Sequence, residues 1–221
     1  GNLGLSGGEA GPNLTGTGGI TAQGDFTLAS GSTAQVDTVL TYESTGTIGG
    51  FSAFIGTGEL IGGTESNLDL NSVSTFFGID FTNNGEVHVA ADATLSFDGD
   101  LTNNGNIFIV NTEFATDFNL STRGGIFTNT GLVDSSDESQ GLIVSNGSVI
   151  NSGGTFAFNN SELAFQDNVF TFNSGTLSGA GGTLRFDNSD LVLNTDLTIA
   201  ANTDVQLDNT VDISGPGDLG L

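Results

Sequence analysis

The stretch LIVSNGSVINSGGTFAFNNSE (Leu142 to Glu162), LAFQDNVFTFNSGTLSGAGGT (Leu163 to Thr183), LRFDNSDLVLNTDLTIAANTD (Leu184 to Asp204) and VQLDNTVDI (Val205 to Ile213) decides the fold, because it repeats itself at a fixed return. Apolar-x-apolar triplets open each line at Leu142/Val144, Leu163/Phe165, Leu184/Phe186 and Val205/Leu207, 21 residues apart each time. Val149, Phe170, Leu191 and Val211 follow at intervals of 21, 21 and 20, and Phe156, Leu177 and Leu197 at 21 and 20. Each short strand alternates with period two, so one set of side chains faces one way. A fixed return then lays each triplet on its predecessor and buries a continuous column. The reading is all-β: a single-stranded parallel β-helix (β-solenoid) with three strands per coil of about 20–22 residues.

The same rhythm extends towards the start of the chain. Phe81-Thr-Asn-Asn-Gly-Glu-Val87 returns as Leu101-Thr-Asn-Asn-Gly-Asn-Ile107, Phe127-Thr-Asn-Thr-Gly-Leu-Val133, Val149-Ile-Asn-Ser-Gly-Gly-Thr155 and Thr171-Phe-Asn-Ser-Gly-Thr-Leu177. Residues 1–221 therefore read as one continuous solenoid, with regular coils over 81–213 and less regular coils over 1–80. The register of 37–80 is not fixed by the sequence. Two stretches that exceed the repeat, 111–125 and 134–141, are expected as outward loops, where solenoids tend to carry specific function. Ten coils would make a rod roughly 50 Å long, at about 4.8 Å per coil.

Composition agrees with this architecture and narrows the partners. The chain of 221 residues holds 35 Gly, 17 Phe, one Tyr, no Trp and no Cys, with 36% hydrophobic residues, which suits tight turns around a flat, stackable interior. Its two basic residues, Arg123 and Arg185, face 26 acids, for a formal charge of −24. With no lysine and no basic patch, nucleic acid and anionic lipid surfaces are excluded as partners. No transmembrane stretch or signal peptide is visible. A chain that begins on Gly1 and holds no Met is expected to be a processed product or a piece of something longer.

Three sets of residues carry whatever chemistry the sequence offers. Asn83, Asn103, Asn129, Asn151, Asn173 and Asn194 are expected to stack at one corner as an amide ladder, each bonding the amide above and below. Asp167, Asp187 and Asp208, each followed by Asn, read as a second corner. Like carboxylates about 5 Å apart repel by about 1 kcal/mol in water. Either the asparagines and backbone amides of the turns absorb that charge, or Ca²⁺ bridges the carboxylates. The expected cofactor is none, with calcium the alternative. Leu3 and Leu5 at the start and Ile213, Leu219 and Leu221 at the finish form apolar, little-charged ends suited to head-to-tail stacking.

The remaining polar residues suggest no catalytic centre. His88 lies between Val87 and Val89 and should face solvent alone, Arg185 should pair with a surface acid, and Arg123 should close the 111–125 loop. Asp98 and Asp100, and Asp134 to Glu138, hold neighbouring carboxylates that a glycoside hydrolase could use. An enzyme of that class acting on acidic polysaccharide needs cations that this surface lacks, so the chain is read as not an enzyme.

The run Phe81 to Ile107, with Gly16 to Ser32 and Gly179 to Ala201, resembles the repeats of filamentous-haemagglutinin-type adhesins and autotransporter passenger domains. That resemblance implies a right-handed β-helix, secretion to the bacterial cell surface or extracellular space, and a role in adhesion or matrix building. It supplies no catalytic residues. The expected function is an extracellular structural solenoid whose copies join end to end into a filament, stalk or matrix fibre. The alternatives are an adhesin segment that binds glycan or another cell through its loops and, more remotely, a polysaccharide-active enzyme.

Overall fold

The structure is a computed structural model that describes residues 2–5, 13–14, 17–71, 74–90, 94–110, 118–136 and 141–221. Among them every strand pairing is parallel, and the strands wind as a β-solenoid of about nine turns. Three sides recur. The first carries Leu3–Leu5, Phe26–Leu28 and Thr45–Gly49, each bonded to its successor. The second begins with Asn13–Leu14, Thr33–Val36 and Ser52–Ile55, and the third with Ile20–Ala22, Val39–Tyr42 and Glu59–Gly62. Later in the chain single strands bend around a corner. Ser148–Ala157 and Val169–Ser178 pass from the third side to the first, while Thr183–Leu193 and Asp204–Ser214 pass from the second to the third.

The predicted triplets pair as the 21-residue return requires: Leu142 with Leu163, Leu163 with Leu184, and Leu184 with Val205. Two rungs differ. Leu191 pairs with Ile213, not Val211, because two residues of the last strand, Asn209 and Thr210, face only Asn188 between the Asp187/Asp208 and Ser189/Val211 pairs. Leu197 pairs with Leu219.

Coils earlier than Phe81 are as regular as later ones. Ile20, Leu40, Leu60, Phe81 and Leu101 form one in-register column, and the strands between residues 39 and 77 all find partners. What hides them in the sequence is corner length: Gly46, Leu68, Val87, Ile107 and Val133 occupy one column although separated by 22, 19, 20 and 26 residues. The loop expected over 111–125 is shorter than that. Phe118–Ser121 is a strand paired on both edges, with Thr94–Phe97 and Leu142–Ser145. Residues 111–117 lie outside the described residues, as do 137–140 of the second expected loop.

The interior is one column of apolar side chains running the length of the stack. Phe54, Phe77 and Phe97 stack at 5.4 and 4.8 Å with rings 9° and 7° from parallel, and Phe165 stacks on Phe186 at 5.3 Å. Rings on successive coils lie nearly parallel because the ladder spaces them close to the thickness of an aromatic stack.

Candidate functional site

The corner between the third and first sides holds the amide ladder. Asn83, Asn103, Asn129 and Asn151 are fully buried. Nδ2 of each of the first three donates to Oδ1 of the next, at 2.8, 2.9 and 3.0 Å. The second Nδ2 hydrogen of the same three goes to the main-chain oxygens of Asn106, Leu132 and Thr155. Asn151 ends the run on Gly154 and Ser174 carbonyls, both at 3.0 Å. The glycines two residues on are fixed by contact between coils, since a Cβ at Gly105 would overlap the Gly85 carbonyl oxygen and one at Gly131 that of Gly105.

Asn173 and Asn194 do not belong to this column. Phe172 takes the place above Asn151, so Asn173 turns outward, where Asn194 Nδ2 donates to its Oδ1 at 2.7 Å. Below Asn83 the column continues through Gly62 to Tyr42, whose ring fills the space that a Gly62 side chain would need. Burial pushes the Tyr42 phenol well above its ordinary range, with the neighbouring Ser66 hydroxyl pulling slightly back.

The second predicted corner is built differently from the expectation. Asp187 pairs with Gln166 below and Asp208 above, while Asp167 sits one place further along. The residues in the left-handed conformation here are Asn146, Asp167, Asn188 and Asn209, with φ of 61°, 53°, 49° and 56°, and they recur every 21 residues. Asx residues adopt this conformation at the lowest cost after glycine. Asn188 Nδ2 donates to Asp167 Oδ1 at 2.7 Å, and Asn209 Nδ2 donates to Asp187 Oδ1. Each carboxylate is thus met by the amide of the next coil. Asp187 also receives Arg185 Nη1 at 3.3 Å, with Arg185 Nε on Glu162 at 2.9 Å and Nη1 3.9 Å from Asp208, as expected of a guanidinium paired with surface acids. Asp167, Asp187 and Asp208 therefore form no single column, and among the described residues no three His, Asp or Glu side chains converge as a metal site would require.

Other acids cap main-chain groups. Asp37, Asp80, Asp100 and Asp196 each accept, through Oδ1, the N–H of a residue one coil on: Thr57, Asp100, Ile126 and Asp218, at 2.9 to 3.1 Å. The sequence signal was present, Asx just before a strand at coil spacing, but the variable corner lengths masked it. Asp98 pairs with Arg123, whose guanidinium lies 5.7 Å from the Phe76 ring centre, so Arg123 clasps the two preceding coils. A shallow polar groove lined by Ser96, Ser121, Arg123 and Asn146 lies alongside. His88 is not alone: Nδ1 is 3.4 Å from Asp69 and Nε2 3.7 Å from Glu86, and its ring leans on Phe108.

The end of the stack nearest Leu221 is open. Among the described residues Asp204–Ser214 is bonded along one edge, to Thr183–Leu193. Its Leu207 and Ile213, inward-facing by register with Phe186 and Leu191, are 48% and 46% exposed. Leu221 is exposed, and Val205, Val211 and Leu219 are half-buried. At the other end Leu5 is buried and Leu3 half-buried beneath Phe26–Leu28. These features define a parallel β-solenoid. Comparison with protein-family models, curated proteins and solved structures finds no match.

Proposed function

We propose that this chain is a structural, non-catalytic β-solenoid of the bacterial cell surface or extracellular matrix, and that its copies join end to end into a filament, stalk or fibre. The observation that carries the reading is the free edge of Asp204–Ser214, eleven residues long, with uncovered Leu207 and Ile213. An unpaired parallel edge with exposed apolar side chains is a template for another strand. The flanks favour no such contact. A charge of −24 on 221 residues makes side-by-side copies repel, whereas on the free edge the inward positions are apolar and Asp204, Asp208 and Asp212 stand on the outward ones. Of the carboxylates a hydrolase could have used, Asp98 is paired with Arg123, Asp100 caps the Ile126 N–H and Asp134 accepts the Ser136 N–H.

Electron microscopy of the purified chain over a range of concentrations tests this. The expected result is filaments one solenoid wide that lengthen with concentration. Discrete rods of about nine turns at every concentration would overturn the reading.

The adhesin reading has one observation in its favour, the polar groove at Ser96, Ser121, Arg123 and Asn146. Hydroxyls, an amide and one of the two arginines along a flat β-face match the chemistry of a glycan. Under this reading Arg123→Ala abolishes retention on a glycan array while leaving the β-sheet circular dichroism unchanged.

A further inference from the structure

Four outward positions of the first side form a column in direct register: Asp69, His88, Phe108 and Asp134, carried by Asn67–Asn71, Glu86–Ala90, Asn106–Val110 and Leu132–Asp134. Two rings are thus bracketed by two carboxylates, at about 4.8 Å per rung. On one side of the pair the imidazole lies between acids, with His88 Nδ1 3.4 Å from Asp69 and Nε2 3.7 Å from Glu86. On the other side Asp134 accepts the Ser136 N–H through Oδ1 at 2.9 Å, and among the described residues its Oδ2 has no hydrogen-bond partner.

Beside this column runs a groove of about 350 Å³, lined by His88, Phe108, Ile109, Val110, Asp134 and Ser136. It offers apolar surface, since Phe108 is only half-buried and Val110 is 41% exposed. It is also negative. The carboxylates of Asp69, Glu86 and Asp134 stand around one imidazole, so the local charge is negative whether or not His88 holds a proton.

We infer that this groove is a docking site for a lysine side chain on the basic surface of a partner protein. The apolar surface of Phe108 and Val110 suits the methylene stem of lysine, which packs on apolar groups while its charged head stays at the rim. There the ammonium pairs with Asp134 Oδ2 and meets the Phe108 ring, whose quadrupole attracts a cation. A volume of about 350 Å³ is small for a ligand site and fits a single side chain. A second copy of this chain cannot fill it: the chain has no lysine, Arg123 is paired with Asp98, and Arg185 with Glu162 and Asp187. The charge of −24 is carried by acids along the whole chain, so a surface bearing several cations gains more from it than a free amine does. The site lies on a flank and does not depend on end-to-end assembly.

His88 is the one histidine of the chain, so its ring protons give an isolated NMR report on the groove. The probe is lysine capped at both ends, N-acetyl-lysine amide, added at fixed pH and ionic strength, with its Nε-acetyl form as the uncharged control. The expected result is a saturable shift of the His88 signals in the millimolar range, with the charged form only. In Asp134→Asn the dissociation constant should rise about fivefold, the upper value for an exposed ion pair. In Phe108→Leu it should rise about two- to fivefold, with the β-sheet circular dichroism of both variants unchanged. A peptide carrying three lysines should bind more tightly than the single probe and than cadaverine. The absence of a saturable shift, equal shifts from the charged and Nε-acetyl forms, or unchanged affinity in both variants would overturn the site. Cadaverine binding as tightly as the three-lysine peptide would overturn the partner protein and assign the groove to free amines.

Discussion

Replacing Asn103 with alanine is expected to unlock the corner that keeps the coils in register. Asn103 makes three bonds: Oδ1 accepts from Asn83 at 2.8 Å, and Nδ2 donates to Asn129 Oδ1 at 2.9 Å and to the Leu132 carbonyl at 3.0 Å. Alanine leaves three partner groups short of a bond, and two of them, on the fully buried Asn83 and Asn129, have no solvent access. A buried group stripped of its partner costs about 1–3 kcal/mol, so these two account for a loss of about 2–6 kcal/mol. Asn194→Ala is the matched control, because its bond to Asn173 is exposed and water can replace it, which limits the loss to about 0.5 kcal/mol. Urea unfolding followed by circular dichroism compares the two. Amide hydrogen exchange over residues 83–107 adds a local measure, needed because coils of a solenoid can open in part. Equal midpoints for Asn103→Ala and Asn194→Ala would refute the account of the ladder as the device that fixes register.

Alkaline stability should depend on a single side chain, since the chain has one Tyr, no Lys and no Cys. Tyr42 is held neutral by burial with its pKa raised, so its contribution is complete below its unfolded value of about 10 and declines above that by up to about 1.4 kcal/mol per pH unit; in Tyr42→Phe the slope of unfolding free energy between pH 10 and 12 should vanish. Gly105→Ala should prevent a regular corner, because its Cβ overlaps the Gly85 carbonyl oxygen, and loss of exchange protection at Asn104 to Ile107 would show it. Sodium chloride should raise the melting temperature by screening the −24 charge. Calcium at matched ionic strength should add nothing further, because Asp167 and Asp187 already hold Asn188 and Asn209 amides; a specific rise that Asp208→Asn removes would instead establish a cation between Asp187 and Asp208.

The amino-acid sequence by itself determined the solenoid, the three sides, the columns from Leu142 onward except the rung at Val211, and four rungs of the amide ladder. It did so because period-two alternation and a constant return are properties of the chain alone, readable without coordinates. Only the tertiary structure decided what depends on corners. Corner lengths differ by several residues while the ladder spacing does not, so equal sequence intervals need not mean equal places. That is why Asp167 stands beside Asn188 and not beneath Asp187, why Phe172 displaces Asn173 from the buried column, and why the coils before Phe81 look irregular yet stack in register. It is also why the capping role of Asp80, Asp100 and Asp196 emerges only when one coil is laid on another. The apolar residues of the last strand were visible in the sequence, but that Leu207 and Ile213 lie in register with the buried Phe186 and Leu191 follows only from the pairing of the strands.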